Sequence, residues 1–259
     1  MPKTVEFKIF RQDTEDSAPY WEEFSLPYQA NMNVIVCLQE IQMNPTNKAG
    51  KKVNPVTWES NCLEEVCGAC SMVINGVPRQ ACSALIDKLQ QPIEIRPLSK
   101  FRTVRDLVVD RTPMFTALAK VKAWVPIDGT YDMGPAAKMS AKDAERQYEF
   151  ARCMTCGCCM EACPQYSEKS SFIGPAPLGQ ANLFNTNPTG SMNKDERLHA
   201  LMGEGGVMDC GKAQNCAKVC PKEIPLTEAI AELGRETTKQ WWKDLFAKGK
   251  ERTFGGPAA

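Results

Sequence analysis

Charge of one sign, histidine and long apolar runs are what this chain lacks. Lysine plus arginine number 31 and aspartate plus glutamate number 31, so no global field points to nucleic acid or an anionic membrane surface. The longest apolar stretches, such as Val34–Leu38, fall far short of the roughly 18 residues that a membrane span requires. Lys3, Glu6 and Lys8 occupy the region where a secretion signal would need its apolar segment, and no twin-arginine run occurs. The expected location is the cytoplasm. The single histidine, His199, lies in Asp195-Glu-Arg-Leu-His-Ala200 at the polar end of a helical segment. It reads as a solvated surface residue rather than a proton relay.

What the chain does have is cysteine, thirteen among 259 residues. A chain of this length with 43% apolar residues buries a sizeable core and most naturally holds two domains. In an oxidising compartment so many thiols would pair as disulfides; without a secretion signal, clustered C-x2-C units point to metal. Eleven of the thirteen fall into three patterns. The first is Cys62-x4-Cys67-x2-Cys70, closed by Cys82. The second is Cys153-x2-Cys156-x2-Cys159-x3-Cys163-Pro164. The third is Cys210-x5-Cys216-x3-Cys220-Pro221. Zinc is the competing metal, and a zinc-stapled structural protein is the alternative of a different class. The x4-then-x2 spacing and the four-cysteine run ending in proline favour iron–sulfur clusters, whose iron takes soft thiolate ligands.

The first hundred residues read as mixed α/β. Val5, Phe7 and Ile9 alternate as in a strand, and Phe24 and Leu26 mark a second. Asn31-Met-Asn33 supplies N-caps for a helix through Val34, Ile35, Leu38 and Ile41. Ser71–Ile74 followed by Asn75-Gly76 predicts a strand and hairpin turn, with Cys82 just past the return strand. Ile93-Glu-Ile95 adds one more strand. After Arg105 the alternation stops, and helical segments are predicted at Met114–Trp124, Ala141–Cys153, Glu196–Met202 and Thr227–Phe246. Phe172–Pro177 and Asn185–Gly190 read as loops between them. The expected class is α+β, with a β-rich domain over residues 1–109 and a helical domain over 110–259.

The first pattern supplies four thiolates, the number that two irons bridged by two sulfides require; this is the plant-type [2Fe–2S] arrangement. Small residues, Gly68 and Ala69, let that loop curl so that amide N–H groups point at sulfur and stabilise the reduced cluster. In a C-x2-C-x2-C-x3-C-P run the fourth cysteine serves the neighbouring cluster. Cys153, Cys156 and Cys159 therefore take the distant Cys220 as fourth ligand of a [4Fe–4S] cluster. Cys163 crosses to join Cys210 and Cys216. The regular pattern places another cysteine midway between 210 and 216, where Ala213 stands, and three ligands favour a [3Fe–4S] cluster. Three clusters in series are suited to carrying electrons singly. Of the two cysteines left, Cys37 reads as a small buried hydrophobe and Cys158 as packing beside the ligands.

In these residues the chain resembles the iron–sulfur subunits of succinate dehydrogenase and fumarate reductase, the respiratory complex II family. Arg105-Asp-Leu-Val-Val-Asp110, the framework Cys153–Pro164, Phe172-Ile-Gly-Pro-Ala176 and Asn215-Cys-Ala-Lys-Val-Cys-Pro221 carry the likeness. The resemblance implies a β-grasp plant-type ferredoxin domain followed by an α-helical ferredoxin domain. It also implies a flavoprotein partner that oxidises succinate at its FAD, and a quinone held where this subunit meets a membrane cytochrome b anchor. The chain would then sit on the cytoplasmic side of the cell membrane, peripheral through that anchor. Fumarate reduction is the same relay in reverse. Pro164 matches a residue of the family's quinone region. Gly211 and Glu168 replace the histidine and tryptophan of the ubiquinone-using branch, so the pattern is similar to menaquinone-linked enzymes, including those with a di-haem single-chain anchor.

Other residues take plainer readings. Met114, Met133, Met139, Met154 and Met160 are expected to fill gaps in the core. Glu64-Glu65 is a solvated loop face. Trp241-Trp242, with Lys239, Lys243 and Lys248, reads equally as an interfacial belt or as packing of the last helix onto its domain.

Overall fold

The computed structural model describes residues 4–125 and 138–254. Five strands form one sheet: β1 (Thr4–Arg11), β2 (Tyr20–Pro27), β3 (Ser71–Ile74), β4 (Val77–Gln80) and β5 (Ile93–Arg96), in the order β2-β1-β5-β3-β4. The alternation in β1 fixes its register, with Phe7 opposite Phe24 on antiparallel β2 and opposite Ile93 on parallel β5. The β3–β4 turn is Asn75-Gly76, both at positive φ, the backbone that a tight two-residue hairpin demands. Helix α1 (Val34–Met43) starts where Asn33 accepts the Val36 N–H, and its Val34, Ile35, Leu38 and Ile41 are buried with the strand residues. Each such side chain contributes about 1.5–3 kcal/mol; Leu38→Ala would cost about 2–5 kcal/mol.

Strand structure runs a little past Arg105. A short hairpin, β6 (Thr103–Arg105) and β7 (Val108–Val109), precedes the first helix of the second half. Asp106 in its turn is buried and holds Arg11 of β1 and the Thr57 N–H, so the hairpin is pinned to the sheet by charge rather than by an alternating pattern.

The remainder is helical: α2 (Thr112–Lys120), α3 (Ala141–Ala151), α4 (Cys158–Glu161), α5 (Pro175–Thr186), α6 (Lys194–Met202), α7 (Asn215–Lys218) and α8 (Leu226–Phe254). Helix α2 stops at Lys120 rather than Trp124, since Lys122 is at positive φ. Helix α5 runs into both predicted loops, at Pro175–Pro177 and Asn185–Thr186, and its middle carried no helical prediction. Its proline opens the first turn, where a missing N–H costs nothing. Its Ala176, Leu178 and Ala181 are buried along with Asn182 and Asn185, so no polar face advertises it as a helix. Among the described residues no helix is long and apolar enough to cross a membrane.

One core continues from the sheet's edge into the helices. Leu98, Phe101 and Val109 pack with Met114, Phe150, Met160 and Leu233. Glu161 on α4, itself buried, accepts hydrogen bonds from Ser99 Oγ (2.6 Å) and the Lys100 N–H (3.0 Å). Met114 and Met160 fill this core as expected, whereas Met139 is 42% exposed because it precedes α3 rather than facing the interior. Met133 lies outside the described residues.

Candidate metal centres

The thiols gather into three groups. In the loop between α1 and β3, Cys62 Sγ accepts N–H bonds from Glu64 (3.5 Å), Val66 (3.3 Å) and Cys67 (3.3 Å). Those donors lower its pKa to about 7. Cys67 Sγ accepts from the Ala69 N–H at 3.4 Å. Cys70 and Cys82 interact with each other across the β3–β4 hairpin, and burial pushes Cys70 up to about 12. Positive φ at Leu63, Glu65 and Gly68 produces the curl that aims these amides inward. Glu64 is exposed as expected, and Glu65 accepts a hydrogen bond from Ser83 Oγ at 2.6 Å.

The second group surrounds a cavity. Cys153, Cys156, Cys159 and Cys220 line it together with Ala176, Ile224 and Leu226, and its volume is about 20 Å³. Gly157, at the α4 N-terminus, is left-handed, which turns the chain between Cys156 and Cys159. Desolvation, and then the neighbouring thiols, push the Cys159 thiol well above its ordinary value. The third group is Cys163, Cys210 and Cys216; desolvation first, and then the neighbouring Cys163 and Cys210, push the Cys216 thiol up. Ala213 is exposed and contributes no donor.

Among the described residues, no three His, Cys, Asp or Glu side chains form a group that could hold a metal ion. Four thiols around an apolar cavity, and a loop of amides converging on sulfur, have the donor chemistry of a cage of several irons. Cys37 is fully buried within α1, with burial pushing its thiol up to about 12, an inert core residue.

The groups lie in sequence through the protein. Gly68 of the first loop faces Cys156 so closely that a Cβ there would lie 2.8 Å from the Cys156 Cβ. Cys216 of the third group is near enough to Cys159 of the second to raise its pKa. Arg111, just past β7, clamps the first loop by donating to the carbonyls of Gly68 (2.8 Å) and Ala69 (2.7 Å). Nothing in the sequence pattern marks this arginine; its role arises from contacts across more than forty residues.

Compared with known proteins, residues 6–116 match the 2Fe-2S iron-sulfur cluster binding domain family and residues 149–224 the 4Fe-4S dicluster domain family. The succinate dehydrogenase iron-sulfur subunit of Bacillus subtilis is 59% identical over 248 residues, covering 96% of this chain and 98% of its own. The chain belongs to the succinate dehydrogenase and fumarate reductase iron–sulfur subunit family. The fumarate reductase iron-sulfur subunit of an Escherichia coli strain is 29% identical over 241 residues, covering 92% of this chain and 95% of its own. In fold, the chain is similar to a chain of the Mycobacterium smegmatis Sdh1 complex, at TM-score 0.77 and 20% identity, over 93% of this chain and 98% of that one.

Around the third group, Pro164 is exposed beside Cys163. A side chain at Gly211 would meet Gln165 Nε2 at 2.5 Å, so Gln165 occupies the space beside that position. A cavity of about 910 Å³ opens here, lined by Val207, Met208, Cys210, Cys216, Ile230 and Arg235. His199 is exposed, as expected, and its Nε2 lies 2.8 Å from Asp244 of α8, a partner the sequence did not point to. Trp241 and Trp242 stand edge to face, 51% and 50% exposed, with Trp242 stacked on Phe246. They leave half of their surface unburied by this chain.

Proposed function

We propose that this chain is the electron-transfer subunit of a succinate:quinone oxidoreductase. In this reading Cys62, Cys67, Cys70 and Cys82 hold a [2Fe–2S] cluster, and Cys153, Cys156, Cys159 and Cys220 a [4Fe–4S] cluster. Cys163, Cys210 and Cys216 hold a [3Fe–4S] cluster. When bound, the clusters take and release electrons one at a time between the FAD of a flavoprotein subunit and menaquinone at a membrane cytochrome b anchor. The chain's own work is to supply the thiolates, aim backbone N–H groups at them, and keep water from the second site with Ala176, Ile224 and Leu226. Residues 1–109 form the β-grasp domain and 110–259 the helical one. The subunit sits at the cytoplasmic face of the cell membrane through its anchor, with Pro164 at the quinone site.

The observation that carries this reading is the adjacency of the three thiol groups, Gly68 against Cys156 and Cys159 near Cys216. A structural zinc protein has no need for its sites to be contiguous. Succinate oxidation is favoured over fumarate reduction by the 59% identity to the succinate dehydrogenase relative against 29% to the fumarate reductase one.

The test is metal and sulfide analysis of the anaerobically purified chain, with an EPR-monitored redox titration of the membrane-bound complex. About nine irons per chain are expected, with acid-labile sulfide and three distinct cluster signals. Stoichiometric zinc without sulfide would end the relay reading.

A further inference from the structure

Between the first and second thiol groups lies a buried polar bridge that supplies no ligand to either. Ser71 on β3 and Gln80 on β4 are cross-strand partners, and Gln80 Nε2 donates to Ser71 Oγ at 2.8 Å. The same amide lies 3.5 Å from Cys70 Sγ on one side and 3.5 Å from Cys158 Sγ on the other. Cys158 opens α4 two residues past Cys156, and a side-chain hydrogen bond between the two draws the Cys156 thiol down to about 7. Gln80 and Cys158 are fully buried, and Ser71 is nearly so. A buried amide in a half-apolar hairpin is costly unless its groups are satisfied, so its placement between two cysteine groups calls for a reason.

The hydrogens of this bridge depend on whether the cysteines hold metal. As a thiol, Cys70 donates to Gln80 Oε1 at 3.5 Å. A metal-bound cysteine is a thiolate and has no proton to give. The amide of Gln80 must then turn over, which exchanges its oxygen and nitrogen at nearly constant shape, and present N–H to Cys70. Its oxygen now faces Ser71 and Cys158. Ser71 can donate to it, leaving Gly68 O satisfied by Arg111 Nη1 at 2.8 Å. The single proton of Cys158 is free for the Cys156 thiolate.

We propose that Gln80 and Cys158 are positioning residues that donate one hydrogen bond each to the ligand sulfurs Cys70 and Cys156, and so raise the potentials of the first and second clusters. This rests on the three-cluster reading above. A donor aimed at sulfur favours the reduced, more negative cluster, so each residue sets one end of the step between the two sites. Ser71 holds the amide in the turned-over orientation.

The experiment is an EPR-monitored redox titration of the full complex carrying Gln80→Met, Cys158→Val or Cys158→Ser. Gln80→Met keeps length without an N–H and should lower the [2Fe–2S] midpoint by about tenfold in the reduced-to-oxidised ratio, about 59 mV for one electron. Cys158→Val should lower the [4Fe–4S] midpoint and leave the [2Fe–2S] one in place. Cys158→Ser, which keeps a donor, should stay near the native value. Should Gln80→Met fail to hold its cluster, the Cys158 pair decides. Native midpoints in both Gln80→Met and Cys158→Val overturn the proposal. So does loss of the [4Fe–4S] signal in Cys158→Val, which would make Cys158 a ligand. Absence of the two signals from the unmodified complex would instead overturn the relay reading itself.

Discussion

Gly68 and Cys156 meet backbone to side chain: a Cβ on Gly68 would stand 2.8 Å from the Cys156 Cβ and 3.0 Å from its Cα. The contact brings a loop of the sheet-bearing half directly onto the first turn of the second thiol group. No side chain fits between them, and Gly68 is also left-handed, at φ +74.

Gly68→Ala therefore carries two penalties, about 1–3 kcal/mol of backbone strain and about as much again from overpacking. The expected outcome is a lower denaturant midpoint together with weakened [2Fe–2S] and [4Fe–4S] signals. Urea unfolding followed by visible absorbance of the holoprotein reads both. An unaltered midpoint would mean that the loop can back away from Cys156.

Arg111 holds the same loop from the other side with two charge-assisted bonds to Gly68 and Ala69 carbonyls. Arg111→Ala should cost about 1.5–3 kcal/mol. Arg111→Lys should recover little, since one ammonium cannot reproduce the planar fork that spans both oxygens. Thermal unfolding of the two variants side by side tests the geometry; full rescue by lysine would reduce Arg111 to a simple charge.

How much of this was legible in the chain differs by element. The alternation of Val5, Phe7 and Ile9 and the Asn75-Gly76 turn encode β1 and the β3–β4 hairpin locally, and both form as read. Helix α5 was not legible, because with Ala176, Leu178, Ala181, Asn182 and Asn185 all buried it has no polar face to set a period. The thiol groupings follow from spacing, which is local, whereas the approach of Gly68 to Cys156 is a long-range contact that no spacing reports. Gln80 left one signal, a polar residue at the inward position of a short strand.

The buried pair Arg11–Asp106 ties β1 to the turn before Arg111. Arg11 Nε donates to Asp106 at 3.0 Å, and Asp106 also accepts the N–H groups of Gln12 (3.0 Å) and Thr57 (2.8 Å). Asp106→Ala leaves a guanidinium fully enclosed with only Glu22 as its anionic partner. The expected loss is about 3–5 kcal/mol, measured by chemical denaturation, and larger than for any exposed ion pair of the protein.

Glu236 on α8 gives a pH dependence. Its carboxylate is 2.6 Å from Lys194 Nζ on α6 and 3.3 Å from Lys239 Nζ, and the hydrogen bond to Lys194 holds its pKa below the usual 4.5. A depressed folded-state value contributes stability above the unfolded pKa and loses it as pH falls through the folded one. Glu236→Gln should lower the melting temperature slightly at pH 7 and narrow the gap to the unmodified protein below about pH 4. The effect is at most about 1 kcal/mol for so accessible a pair. A gap that widens with acid would reverse the assignment.

Ala213 is the most direct handle on the third group. It stands between Cys210 and Cys216, where the regular run would carry a thiolate, and it is exposed, so a larger side chain displaces nothing from the core. Ala213→Cys should add a fourth ligand and convert the proposed [3Fe–4S] cluster to [4Fe–4S]. The extra thiolate brings one more negative charge to the site, which disfavours reduction and lowers the midpoint potential. The EPR signal of the oxidised three-iron cluster should vanish from the air-oxidised complex, with a new signal appearing only on strong reduction. Succinate-to-quinone electron transfer should slow, because the last site would then release its electron from a potential less suited to receive it. Persistence of the three-iron signal at native intensity would show that the side chain at 213 does not reach the empty corner. The ligand deficit would then lie in the shape of the loop between Lys212 and Gln214, both at positive φ, rather than in the identity of the residue between them.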